Sequence, residues 1–185
     1  MTWHESGSLA ARPALERPDL LAPPVARALD GLDPELVAKI GAAAIDPALA
    51  DTAAFCERYG VRPAASANCV VIKGKRGGEI RYAACMVLAT TRADVNGVVR
   101  RRLDARSASF APMDEAVVLS GMEYGGITPL GLPHGWPILV DAAVARADEV
   151  VIGSGLRASK LFLPGSVLAA LPNAEVIDSL ARPLE

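Results

Sequence analysis

The groups with which this chain could do chemistry are few, and most are backbone. Gly125, Gly126, Ile127, Thr128, Pro129 and Gly131 fall within the run GMEYGGITPLGLP, residues 121 to 133, where the one ionised side chain is Glu123. Glycines admit left-handed backbone and close approach, and prolines stiffen the frame between them. Such a loop can aim N–H groups into a small pocket, the arrangement with which acyl-transfer sites hold a developing oxyanion.

Side-chain chemistries find less support. Two histidines, His4 and His134, are too few for a histidine-bridged metal, and a serine triad would have to run through His134. Cys56, Cys69 and Cys85 show no C-x-x-C spacing, so neither a zinc site nor a disulfide framework is expected. The run GKRGGE lacks the Lys-Ser or Lys-Thr that closes a P-loop, and GSGLRASK lacks the third glycine of a dinucleotide fingerprint. The expectation is a protein without metal or cofactor.

Charge adds a second theme. The net charge is -2, yet residues 67 to 110 hold nine basic against three acidic side chains. Lys73, Lys75, Arg76, Arg101 and Arg102 within that third could present a positive field to a polyanion. Aromatic residues make up 4% of the chain, too few for a base-stacking platform.

The elements that must position these groups follow from periodicity. PPVARALDGL opens on prolines and predicts a short helix; PELVAKIGAAAI suits helix or strand equally. In DPALADTAAFCERYG, Asp46 reads as the N-cap and Gly60 as the stop. ANCVVIKG and EIRYAACMVLATT, joined across Gly77 and Gly78, predict an antiparallel hairpin. RADVNGVVRRRL reads as helical, and a further helix starts near Pro112. WPILVDAAV, DEVVIGSG and SKLFL read as strands, PGSVLAALP as a helix and AEVIDSLA as a last strand or turn. With 185 residues, 51% of them hydrophobic, this makes one mixed α/β (α+β) domain over residues 24 to 183, preceded by a tail or loosely docked arm over 1 to 23. Leu184 and Glu185 read as an appended pair. No apolar run reaches membrane-spanning length and the start lacks a secretory signal, so no membrane contact and a cytoplasmic setting are expected.

GGITPLG, followed by PILVDAAV, EVVIGSGLRASKL and PGSVLAALPNAEVIDSLA, resembles the YbaK/aminoacyl-tRNA synthetase-associated domain family, over roughly Val25 to Ala181. The resemblance implies a single domain with a central mixed β-sheet flanked by helices. It also implies trans-editing, the hydrolysis of mischarged aminoacyl-tRNA, and kinship with a module of prolyl-tRNA synthetases. The family's G-x-x-x-P loop matches Gly125 to Pro129 and implies contact with the aminoacyl ester and terminal adenosine. A strand-end aspartate matches Asp141, and a small-residue turn before a basic residue matches Gly153, Ser154, Gly155 and Arg157. On this reading the backbone from Gly125 to Thr128 holds the ester carbonyl. Pro129, Gly131, Asp141, Ser154 and Gly155 shape the substrate pocket, with Ile127 and Val71 as apolar wall. Lys73, Lys75, Arg76, Arg101, Arg102, Arg157 and Lys160 meet tRNA phosphates, so the expected partner is the acceptor end of an aminoacyl-tRNA and not DNA.

One position departs from the family. Where catalytic members carry a lysine early in the second strand, this chain has Asn68 beside Cys69. Asparagine keeps a donor and an acceptor but loses the charge. The expectation is therefore a deacylase whose turnover is weakened, or in which Asn68 or the ribose 2'-hydroxyl orients the attacking water. The alternative is a non-catalytic binder of aminoacyl-tRNA or amino acid that uses the same pocket.

Overall fold

The hairpin is the longest pair of strands in the computed structural model, which describes residues 2–184; Met1 of the expected arm and Glu185 of the appended pair lie outside them. In chain order the elements are β1 (Arg12–Pro13), α1 (Pro23–Asp30), α2 (Pro34–Val37), β2 (Gly41–Ala44), α3 (Thr52–Tyr59), β3 (Ala67–Arg76) and β4 (Glu79–Leu88). There follow β5 (Thr91–Ala93), a π-helical turn (Val95–Val99) running into α4 (Arg100–Arg102), β6 (Ser107–Phe110), α5 (Met113–Ser120), β7 (Ile138–Asp141) and α6 (Ala142–Ala145). The chain closes with β8 (Val150–Gly153), β9 (Ser159–Leu163), α7 (Gly165–Ala169), β10 (Ala174–Ile177) and β11 (Ala181–Pro183).

Five strands in the order β10-β7-β4-β3-β6 form the central sheet. It is mixed as expected: β4–β7 and β7–β10 are parallel, while β3 runs antiparallel to both β4 and β6. A second, antiparallel sheet of four strands, β1-β2-β9-β8, was not evident in the sequence, and β11 pairs with β5. The two larger sheets share a core in which Met86, Ile138 and Val140 of one meet Ala42, Ile152 and Leu161 of the other, with α1 and α7 contributing Val25, Leu29, Val167 and Leu168. Leucine, isoleucine and valine dominate because pleated faces at this spacing bury branched side chains well. The outer face of the central sheet is covered by Val95, Val99 and Leu103, and that of the smaller sheet by Phe55 and Cys56 of α3 with Trp3.

Four local outcomes sharpen the sequence reading. The arm is packed rather than loose: Trp3 is buried and donates from its indole N–H to the Lys39 carbonyl at 3.1 Å, and Leu20 and Leu21 join the shared core. PELVAKIGAAAI divides, Asp33 capping α2 and Gly41 opening β2. SASF, a run without clear periodicity, is the edge strand β6. Asp46 caps a 3-10 turn (Pro47–Leu49), and the helix proper begins at Thr52 with Asp51 as N-cap, ending at Gly60 with φ 72°. That break brings Ala50, Asp51 and Thr52 to the site described next.

Candidate functional site

The two larger sheets touch at one corner, where Ser66, just before β3, makes an isolated parallel bridge with Val151 of β8. A cavity of about 280 Å³ opens there. Its walls are the start of β3 (Ser66 to Val70), the end of β8 (Val151 to Gly153), the entry to α3, and Tyr124, Gly125 and Ile127 of the glycine loop, with Lys160 of β9 inside.

The loop is seated by backbone-to-backbone packing. A β-carbon on Gly126 would come within 2.5 Å of the Leu156 carbonyl oxygen, so only glycine fits. The Gly126 carbonyl accepts from the Gly155 N–H at 2.7 Å, and the Gly126 N–H donates to the Glu123 carbonyl at 3.0 Å. Gly125 sits at φ 81° with the Arg157 guanidinium against it. Arg157 in turn donates from its backbone N–H to the Glu123 carboxylate at 2.6 Å and from its guanidinium to the Tyr124 carbonyl at 3.3 Å. No described residue accepts from the N–H groups of Gly125 and Ile127, the two loop members on the cavity wall.

Opposite the loop, the Thr52 hydroxyl donates to the Asn68 side-chain oxygen at 2.8 Å. The amide nitrogen of Asn68 has no acceptor among the described residues. Asp51 lies at the rim, its carboxylate 3.5 Å from the Arg157 guanidinium. Cys69 stands beside Asn68; desolvation, with Cys85 adding a little, pushes its thiol far above the ordinary range and leaves it no thiolate character. Lys160 is 8% exposed, donates to the Ala50 carbonyl at 3.1 Å and lies 5.2 Å from the Phe55 ring centroid. Burial is the main reason its ammonium is lowered to about 8.

Other expected site residues lie elsewhere. Asp141 is buried at the end of β7, where its two oxygens accept from the Ala143 and Ala181 N–H groups at 2.9 Å each, so it caps α6 and anchors β11. Ser154 is fully buried and bonded to Ser159, and Gly155 packs against Ala22 and Val25. Val71 packs with Ala116 and Trp136. Thr128 is buried, its hydroxyl without a partner among the described residues. Pro129 and Gly131 line a separate cavity of about 460 Å³ shared with His134 and Trp136. Neither Asp141 nor Ser154 touches the 280 Å³ cavity.

The cations divide as well. Lys73 is held by Glu115 of α5 at 2.7 and 2.8 Å, Arg76 by Asp104 at 2.9 Å and Arg102 by Glu175 at 2.8 Å, while Lys75 and Arg101 are exposed. Lys75 is seven residues along β3 from Asn68, roughly 23 Å at the rise of a strand. Of the seven expected tRNA contacts, only Lys160 lines the cavity, while Arg157 braces its rim through Asp51, Tyr124 and Gly125. Sequence reasoning missed Asp51, Thr52 and the burial of Lys160. The signal for the last was present, since a lysine inside the apolar strand SKLFL is flanked by core on both sides.

Fold and site define a mixed α/β domain with a glycine loop set against the seam between two β-sheets. The chain belongs to the aminoacyl-tRNA editing domain family, of the YbaK type, whose model matches residues 46–171. Among solved structures it is similar to a candidate trans-editing enzyme for prolyl-tRNA synthetase, at 20% identity and TM-score 0.69, covering 85% of this chain and 97% of that one. It is also similar to the hypothetical protein APE2540, at 19% identity and TM-score 0.65, covering 76% and 90%. At those identities the likeness establishes the fold. No curated protein matches the sequence.

Proposed function

We propose that the protein hydrolyses the ester of a mischarged aminoacyl-tRNA, with the aminoacyl group in the 280 Å³ cavity and the acceptor end at its mouth. The observation that carries this reading is the pair of unspent N–H groups, Gly125 and Ile127, on a loop held rigid from behind by Gly153 and Gly155. Donors fixed in advance at the position of a developing oxyanion lower the barrier without reorganising.

The cavity lies just below the roughly 300–1,000 Å³ usual for ligand pockets, which suits a small side chain against Val70, Ile127 and Ile152. The substrate ammonium would face Asp51 at the rim. The attacking water would be held by the free amide N–H of Asn68, whose orientation Thr52 fixes. Water adds to the carbonyl carbon and the oxygen's new charge meets the loop. The tetrahedral intermediate then collapses, the ribose oxygen leaves and takes up a proton, and amino acid and tRNA part. No protein nucleophile is required, in keeping with a Cys69 thiol held protonated. The cytoplasm, where tRNA is charged, is the setting this activity needs.

The test is deacylation of a panel of mischarged tRNAs by the purified protein. Hydrolysis well above the uncatalysed rate for at least one small amino acid, weakening steeply with salt, is expected. Saturable binding without cleavage would replace this reading with that of a binding protein.

A further inference from the structure

Lys160 is a buried cation without an anion. Among the described residues no carboxylate forms an ion pair with it; Asp51, its nearest acidic neighbour, is paired with Arg157 at the rim. One ammonium proton goes to the Ala50 carbonyl and the Phe55 face takes part of the charge. An ammonium has three donors, so capacity remains on the cavity side. Its neighbours across β2 and β8 are Ala43 and Gly153, too small to cover it. The titratable and charged groups facing it are Cys56 of α3, Asp51 at the α3 N-cap, Arg157 from the turn before β9, and Cys69 on the facing wall. Burying an unpaired charge costs free energy that a hydrocarbon side chain would not, and the bond to Ala50 uses only one of its three donors.

We infer that Lys160 is a catalytic residue: as an ammonium it donates from the cavity interior to the carbonyl oxygen of the substrate ester as that oxygen becomes negative. The inference rests on the deacylase reading above. As water adds to the carbonyl carbon, the π pair moves onto the oxygen and Lys160 stabilises it with the loop N–H groups. Lys160 keeps its proton throughout; the proton released by the water ends on the departing ribose oxygen. Because burial lowers this ammonium to about 8, the contribution is present at neutral pH and is lost as pH rises through that value.

The experiment compares wild type, Lys160→Met and Lys160→Arg in deacylation from pH 6 to 10, each rate divided by the uncatalysed rate at that pH, alongside thermal melting and binding of a hydrolysis-resistant 3'-aminoacylamido-adenosine. Expected are a loss of about 100-fold in kcat for Lys160→Met with no fall in Tm. The wild-type rate ratio should drop above pH 8, and Lys160→Arg should retain part of the rate without that drop. A Lys160→Met protein with wild-type kcat overturns the inference, as does one whose activity falls only in step with its Tm. A wild type that cleaves no ester overturns the deacylase reading instead. The amide analogue then judges Lys160 alone: binding about tenfold weaker in Lys160→Met upholds the contact, and equal binding refutes it.

Discussion

Gly126 and Gly153 meet backbone to backbone. A β-carbon on Gly153 would lie 2.3 Å from the Gly126 carbonyl oxygen, the same oxygen that accepts from Gly155. The glycine loop is thus pressed onto the end of β8, and the free N–H groups of Gly125 and Ile127 take their direction from that contact.

Gly153→Ala should push the loop off its seat. We expect deacylation to fall at least about tenfold and unfolding to come about 1–3 kcal/mol easier, the cost of overpacking a close contact. Steady-state kinetics with denaturant unfolding checks both; full activity in the variant would remove the loop from the mechanism.

Thr52→Val should release Asn68 without opening a void. An expected fall in kcat/KM of about 3–10-fold, with stability within about 1 kcal/mol of wild type, would mark Thr52 as positioning Asn68. Asn68→Lys, in contrast, would place a second ammonium in the cavity that holds Lys160. Like charges disfavour each other's protonation, so the high-pH loss of activity should begin below pH 8 rather than the rate rising. A variant faster than wild type with an unmoved pH profile would contradict this.

Lys160 also governs stability at alkaline pH. Its folded value of about 8 lies below the roughly 10.4 of an unfolded lysine, so the unfolded chain binds more protons between the two. Lys160's own contribution to stability should therefore rise with pH from about 8 to 10, by an amount on the order of 3 kcal/mol, read as the difference between wild type and Lys160→Met because the buried thiols of Cys69 and Cys85, raised by burial, act in the opposite sense in both proteins. Lys160→Met should lose this rise and be more stable by about 1–2 kcal/mol at pH 7, after the lost bond to Ala50. Chemical denaturation at a series of pH values reads both.

On the acid side the Lys73–Glu115 pair contributes. Its hydrogen bonds from Lys73, and then from the Tyr82 hydroxyl, hold Glu115 below the ordinary glutamate range, while Glu115 raises Lys73. A lowered carboxylate stabilises above its unfolded value, near 4.3, and loses that contribution as pH falls through its folded one. The raised lysine contributes below about 10.4 and loses its share above. Glu115→Gln should flatten the loss of stability below pH 5, read by melting temperature; an unchanged acid limb would assign it to other carboxylates.

How much of this was legible depends on whether a signal was local. The hairpin was, since β-branched runs and a Gly-Gly tip state their own pairing. The second sheet was not: β1 has two residues and β2 is GAAA, without alternation, and both pair only with sequence-distant partners. The loop was legible as a feature, but which of its residues face which cavity depends on contacts with Arg157 and Gly153, some 30 positions away. Asp141 shows the opposite hazard. A polar residue at a strand end resembles a ligand contact, whereas the small residues after it make it a helix cap. Residue type alone groups Lys160 with the phosphate-facing cations, although its strand is buried at all five positions.

The corner joining Ser66 to Val151 has a consequence for how substrate choice could change. A compartment wedged between two sheets has its width set by how those sheets pack, through Met86, Ile138, Ile152 and Leu161, as much as by its own lining. Discrimination between amino acids one methylene apart is worth only about 1–3 kcal/mol, within reach of a small tilt of one sheet on the other. Selectivity here is therefore evolvable from the hydrophobic interior, and a library seeking new substrates should vary that interior before it touches the loop.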